Sequence, residues 1–322
     1  AESGLCLRET RYEVGRASDV FQFAAMEALK DDGQIFSCDV SPTGKARKIF
    51  TLREPVRLIS AITPFNHPLN QVVHKLAPAI AAGAPFLLKP SEKTPLTAIR
   101  CAELLYEAGL PGWMLSVLLG PLDELATTMV GDPRVELVTF TGSVKIGKKI
   151  ARDAGYKKVV LELGGNSPLI ILDDADMDLA VHLAAEGCFR NSGQRCTAVK
   201  RLLVHEKILE QVTERFVERA AEYVVGDPAD EQTRIGTVID EAAAMRLESV
   251  VHDAVAVGAK VLLGGQRRGA QLSPTVIADV PRDAEMVVCE SFGPLAPIMS
   301  IRDIDDAIEL ANATDFGLSS GI

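Results

Sequence analysis

The sequence is short of several things that would organise a chain. Among its 322 residues there is one Trp. The six Cys, at 6, 38, 101, 188, 196 and 289, form no C-x-x-C pair and have no His at zinc-ligand intervals. Neither a zinc module nor a disulfide framework is suggested, no metal site is expected, and a reducing, cytoplasmic setting is the default expectation. No apolar run approaches a membrane helix, because each is broken by Lys, Pro, His or Gly within about a dozen positions. A G-K-[ST] P-loop and a G-x-G-x-x-G turn are both missing. The first residues, Ala-Glu-Ser-Gly-Leu-Cys-Leu-Arg-Glu, lack Met, a basic segment and a hydrophobic segment, so no secretory leader is read, and the start resembles the middle of a helix.

What is present is a chain of 322 residues that is 47% apolar and 24% charged, with a net charge of −10. That composition excludes intrinsic disorder, and the length suggests two domains. The acidic balance argues against a general nucleic-acid partner but leaves room for a local cationic pocket.

From about residue 56 to 162, β-rich runs alternate with helical patterns, as βαβ units of a parallel sheet require. Strands are expected at 56–62, 85–88, 114–119, 135–140 and 158–163. Helices are expected at 69–82, 95–109, 123–129 and 143–155. Leu69, Val72, Val73, Leu76 and Ile80 show the helical spacing, while Thr94-Pro95 and Gly109 supply a start and a stop. A helical stretch also covers Tyr12 to Leu29. After Gly164-Gly165 the pattern restarts, with strands at 169–172, 199–205, 260–263, 272–278 and 295–300 and helices at 176–189, 206–223 and 241–258. The reading is an α/β chain with a Rossmann-like, parallel-sheet domain at 1–164 and a second α/β domain at 165–322.

Five motifs could carry chemistry. Thr141-Gly142-Ser143 stands between a strand and a helix whose N-terminus suits a pyrophosphate, although a plain capped turn explains it as well. Lys89-Pro90-Ser91-Glu92 closes a strand, where open α/β sheets bind ligands. Lys89 and Glu92 could grip ribose hydroxyls there, with the carboxylate repelling a 2′-phosphate, or could be a solvated charge pair. Cys196 lies in the polar loop Arg190-Asn191-Ser192-Gly193-Gln194-Arg195-Cys196-Thr197, beside a cation that lowers a thiol pKa, and is the one candidate nucleophile. Glu162 stands inside an apolar strand, with Gly164 and Gly165 following, a position costly for a carboxylate unless it is paired or poised as a base. Asn66, in Pro64-Phe65-Asn66-His67-Pro68, presents an amide at a strand end, where an Asx turn is the alternative.

Taken together and in order, these motifs resemble the aldehyde dehydrogenase superfamily. The resemblance extends through Glu290-Ser291-Phe292-Gly293-Pro294 and Asn312-Ala313-Thr314-Asp315-Phe316-Gly317-Leu318-Ser319, so it covers residues 63 to 319, with Glu162 and Cys196 34 positions apart. It implies that Cys196 attacks an aldehyde, that Asn66 and the Cys196 N–H hold the oxyanion, and that Glu162 activates water. It further implies an NAD site, with NADP less favoured. Lys89 and Glu92 would hold the adenosine ribose, and Ser143 the pyrophosphate. Thr141, Gly142 and Gly165 would line the cleft, and Glu290 and Phe292 would position the nicotinamide ribose and ring.

Arg195, His67 and Arg16 are candidates for an anionic substrate group, each with a structural salt bridge as the alternative. The segment Gln194 to Arg201 resembles the branch acting on phosphonoacetaldehyde, lactaldehyde and, without phosphorylation, glyceraldehyde 3-phosphate. Phosphonoacetaldehyde is the first expectation. Full-length family members are longer at both ends and homo-oligomerise, so the chain is expected to lack parts of both domains, including a pairing β-hairpin. A non-catalytic remnant and a cofactor-free thioester-forming acyltransferase or esterase remain as readings from other classes.

Overall fold

The structure, a computed structural model, describes residues 2–30 and 32–322. The chain divides into two units. One comprises Glu13–Thr141 and Lys145–Glu162; the other takes the stretch up to Tyr12, Gly142–Val144 and Leu163–Ile322. Helix α1 (Leu7–Glu27) starts five residues before the expected Tyr12. An antiparallel pair that patterning left unassigned follows, β1 (Ile35–Ser37) with β2 (Lys48–Phe50), all six residues exposed.

The first unit then alternates β3 (Ile59–Ile62), α2 (Asn70–Ala81), β4 (Phe86–Lys89), α3 (Pro95–Glu107), β5 (Leu115–Val117), α4 (Leu122–Gly131), β6 (Leu137–Thr141), α5 (Val144–Asp153) and β7 (Lys158–Glu162). Its five strands are all parallel, in the order β5-β4-β3-β6-β7. The expected strand at 56–62 shortens to Ile59–Ile62, because its ladder partners begin at Phe86 and Leu137, opposite Ile59. Helix α2 buries Val72, Val73, Leu76 and Ala77 against Phe86, Leu88 and the α3 residues Ala98, Cys101 and Ala102. Val72, Val73 and Leu76 are in the stripe that the helical spacing predicts, whereas Leu69 precedes the helix and Ile80 is only half-buried. Thr94 does precede α3, with Pro95 at its first position, but its hydroxyl makes no cap hydrogen bond.

The second unit holds β8 (Ser167–Ile171), α6 (Met177–Phe189), β9 (Val199–His205), α7 (Leu209–Ala221), α8 (Glu241–Ala256), β10 (Lys260–Leu263), the short pair β11 (Arg267–Arg268) and β12 (Gln271–Leu272), β13 (Thr275–Ala278), α9 (Glu285–Val288), β14 (Leu295–Ile301) and α10 (Ile304–Asn312). Its main sheet runs β10-β13-β14-β9-β8, with β10 antiparallel and the rest parallel. Side chains alternate between its faces as a strand requires. Leu202, Val204, Val276, Ala296 and Ile298 join the core with α6 and α7, and Leu203, Ile277, Leu295, Met299 and Ile301 join the core with α8 and α10. The helix expected at 206–223 opens instead as a 3-10 turn over Glu206–Ile208, where His205 Nδ1 accepts from the Lys207 N–H at 3.2 Å.

Arg201, on β9, is 1% exposed. Its guanidinium donates to the backbone carbonyls of Asn166 at 3.0 Å, Leu310 at 2.7 Å and Ala311 at 2.9 Å. Two of these carbonyls lie in the last turn of α10, where a cation suits the dipole; Leu310 also accepts from the Ala313 N–H at 3.3 Å. Replacing Arg201 by Ala removes one side-chain donor from each of three carbonyls and opens a void. An equilibrium urea titration should show a loss of about 3 kcal/mol or more, and a loss below about 1 kcal/mol would contradict this account.

Candidate active site

In the first unit, strand order reverses at β3, since β4 and β5 lie to one side and β6 and β7 to the other. Ligands bind beyond the carboxyl ends of strands at such a switch. Those ends carry the expected residues. Asn66, 5% exposed, follows β3; Lys89 ends β4; Thr141 ends β6; and Glu162 ends β7, in register with Thr141. Lys89 is buried and its Nζ is hydrogen-bonded to Glu92, which is exposed. Partial burial works against the Glu92 charge, yet the hydrogen bond and charge of Lys89 hold its carboxyl below the ordinary value. The Thr141 hydroxyl is buried without a partner.

Glu162 departs from expectation. Residues of β7 alternate exposed and half-buried, and Glu162 falls on the exposed side. The strand has a neighbour on one side only, so the carboxylate stays in contact with water and no burial penalty has to be explained.

The same unit contains a buried cation that the sequence reading passed over. Lys75, on α2, donates to Thr139 Oγ1 at 2.8 Å. Burial drives its pKa down to about 8, with the Glu162 carboxylate opposing the fall. His74, next to it, is held below the ordinary His value by burial and then by Arg16 and Lys75. Arg16 is exposed and His67 half-buried.

In the second unit, the loop before Cys196 is built on unusual backbone. Asn191 and Ser192 take left-handed conformations, with φ of 60° and 53°, and Gly193 follows at 68°. Such conformations cost non-glycine residues on the order of 1–3 kcal/mol each and persist only where surroundings enforce them. Three cations do so. Arg190 pairs with both carboxylate oxygens of Glu9, at 3.1 and 3.0 Å. Arg195 Nη2 donates to the carbonyls of Glu186 at 3.0 Å and Gly187 at 2.7 Å, in the last turn of α6. Lys200 Nζ donates to the Gly193 carbonyl at 2.7 Å. Arg195 is therefore anchored through Nη2, while its Nε is buried without a partner.

Three of the other cysteines are buried and held in the thiol form. Burial pushes the Cys101 thiol up to about 11 and the Cys188 thiol up to about 12, and raises Cys6 as well.

Glu290 and Phe292 stand in the same unit as Cys196. The Gly165 N–H donates to Glu290 Oε1 at 3.2 Å, and a Cβ at Gly164 would stand 2.3 Å from Glu290 Oε2. At Gly165 a Cβ would come within 2.5 Å of the Cys196 carbonyl oxygen. The two glycines thus let the Glu290 carboxylate and the Cys196 backbone close onto one stretch of chain. Burial raises the Glu290 carboxyl above its ordinary value, against the Gly165 N–H and the Lys200 charge. Phe292 is left-handed, at φ 54°. Gly142 and Ser143 also belong to this unit and immediately precede α5.

In the first unit, the orphaned Thr141 hydroxyl and the Lys89–Glu92 pair at a sheet's carboxyl edge suit the hydroxyl and phosphate groups of a nicotinamide dinucleotide. In the second unit, taken by itself, the desolvated Glu290 carboxylate suits a ribose hydroxyl. Among the described residues no group of His, Cys, Asp or Glu is placed to hold a metal, and no helix is long and apolar enough to cross a membrane.

The aldehyde dehydrogenase family profile matches residues 1–322. Over 321 residues the chain is 42% identical to 3-sulfolactaldehyde dehydrogenase of Priestia aryabhattai, covering 100% of this chain and 67% of that protein. Aldehyde dehydrogenase 21 of Physcomitrella patens, solved with the reaction product succinate, superposes with a TM-score of 0.96 at 41% identity, covering 100% of this chain and 67% of that one. NADP-dependent glyceraldehyde-3-phosphate dehydrogenase of Bacillus halodurans C-125, solved with NADP, gives 0.96 at 36% identity, covering 99% and 67%. The chain thus spans about two thirds of the length of these relatives. On the ordered motifs, the two sheets and these matches, the chain belongs to the aldehyde dehydrogenase family, whose members are NAD(P)-dependent oxidoreductases.

Proposed function

We propose that this chain oxidises a small anionic aldehyde to its carboxylic acid with a nicotinamide dinucleotide, using Cys196 as nucleophile. The observation that carries the reading is the Cys196 loop: strained backbone, held by cations, packed against Gly165, whose N–H donates to Glu290. The Cys196 thiolate adds to the aldehyde carbon to give a thiohemiacetal. Its oxyanion accepts hydrogen bonds from the Asn66 amide and the Cys196 backbone N–H, donors that cost no reorganisation if already in place. A nicotinamide dinucleotide, when bound, would supply the hydride acceptor. Loss of hydride from the carbon leaves a thioester on Cys196. Glu162, exposed and able to exchange protons with solvent, takes a proton from water as the water attacks the acyl carbon. The acid leaves and the thiolate is regenerated.

Lys89 and Glu92 would hold the adenosine ribose. Ser143, Gly142 and Thr141 would lie along the phosphates, and Glu290 and Phe292 would place the nicotinamide end. The Glu92 carboxylate supports NAD as the preferred form, because a 2′-phosphate beside it would be repelled. For the substrate, Arg195 with its unpartnered Nε, together with Arg16 and His67, supports an anionic group. One relative is named for a sulfonated aldehyde, one solved relative holds a dicarboxylate and one is named for a phosphorylated aldehyde. Those names favour anionic aldehydes as a class, of which phosphonoacetaldehyde is one member and not the leading one.

Two measurements test the proposal. Cys196→Ser should cut steady NAD(P)H release at least about a thousandfold, whereas Glu162→Gln should give one burst of NAD(P)H per site followed by slow turnover. A Cys196→Ser protein that oxidises normally would remove the proposed nucleophile, and a folded native protein that releases no NAD(P)H would leave the non-catalytic reading. In a panel of sulfonated, carboxylated, phosphonylated and neutral aldehydes of similar size, anionic members should show kcat/KM at least about tenfold higher, the effect of one charged pair worth about 1.4 kcal/mol. Equal values across the panel would remove the anion site.

A further inference from the structure

Lys200 takes no part in the chemistry proposed above, yet it is among the most buried side chains in the molecule, 1% exposed. It forms no salt bridge among the described residues. Its Nζ instead donates to the Gly193 carbonyl at 2.7 Å and lies over the Phe292 ring, 5.4 Å from the centroid. These contacts reach two separate turns. One carries Asn191 and Ser192, left-handed, just before Cys196; the other carries Phe292, also left-handed, just after Glu290. The turns abut so tightly that a Cβ on Gly193 would stand 2.1 Å from the Gly293 carbonyl oxygen. Two strained turns in contact, each held by the same ammonium group, are more than burial of a lysine stem requires, and a Met would fill that space without the desolvation cost.

We propose that Lys200 is a positioning residue that locks the Cys196 loop to the Glu290–Phe292 turn and supplies the fixed positive charge that favours the Cys196 thiolate. The inference rests on the reading of Cys196 as nucleophile. Glu290, Arg195, Cys188 and Cys196 are the titratable groups that act on Lys200. Burial, the largest influence, brings its own pKa down to about 8. Its charge is therefore present at neutral pH and is lost as pH rises past that value.

The test is the rate of alkylation of Cys196 by iodoacetamide, followed by peptide mass spectrometry from pH 6 to 10 on protein without cofactor. Lys200→Met and Lys200→Gln should be alkylated roughly three- to tenfold more slowly than native protein at pH 7, and should approach native rates above about pH 9. The KM for NAD should rise in both variants as the Phe292 turn loses its tie. Alkylation profiles that superimpose on the native one, at any melting temperature, would overturn the proposal and leave Lys200 as filling. If neither variant folds, the native profile decides. Neutralisation of Lys200 near pH 8 should flatten its rise, and a single clean thiol titration would overturn the proposal. Because alkylation needs no turnover, the result stands apart from the Cys196→Ser assay that judges the nucleophile itself.

Discussion

Backbone carbonyls at the ends of helices and in irregular turns need donors, and in the second unit buried cations provide them. Arg195 bonds two carbonyls in the last turn of α6, Arg201 bonds two in the last turn of α10 and one at Asn166, and Lys200 bonds Gly193. None of these three side chains is in a salt bridge among the described residues. Burial holds the pKa of each below its ordinary value, a sign of how far the charges have been taken from water. Their partners are backbone dipoles, of which Glu186 and Leu310 each also accept one backbone N–H, so the exchange is one of desolvation against carbonyls that would otherwise be under-satisfied. Seven consecutive residues, Arg195 to Arg201, thereby fasten a loop, two helix ends and a strand.

The same arrangement explains how a cysteine can sit on strained backbone without the loop relaxing. Asn191, Ser192 and Phe292 occupy conformations they would leave if unsupported, and the groups that prevent this are cations fixed from behind. Net charge says nothing about this. The protein is acidic by ten units, while its chemically telling charges are positive, buried and few.

Much of the fold is legible in the sequence, because helical spacing in α2, the Pro95 start of α3 and β-rich runs between them are local signals that packing reinforces. Helix α10 and the β1–β2 pair were not read. The signal for α10 was Asp303, whose side chain accepts from the Asp306 N–H, ahead of Ala307 and Leu310. In the β1–β2 pair every residue is exposed, so no alternation exists to be seen. For the candidate site, the sequence places the named residue types at strand ends, where the structure has them, but it misjudges burial. Glu162 looked buried because its strand is apolar, yet its exposure depends on the absence of a further neighbour, which is a fact of topology. Nothing in the sequence singles out Lys75 or Lys200, and only the fold reveals that their ammonium groups end on Thr139 and Gly193.

Position at the edge of a sheet gives β7 a second property. A strand paired on one side only is a template on which another chain can add, and Val159, Val160 and Leu161 would make an adhesive one. Lys158 and Glu162 bracket those three apolar residues with charges of opposite sign. Besides anything it does to water, Glu162 puts a charge at the end of an edge that would otherwise be apolar.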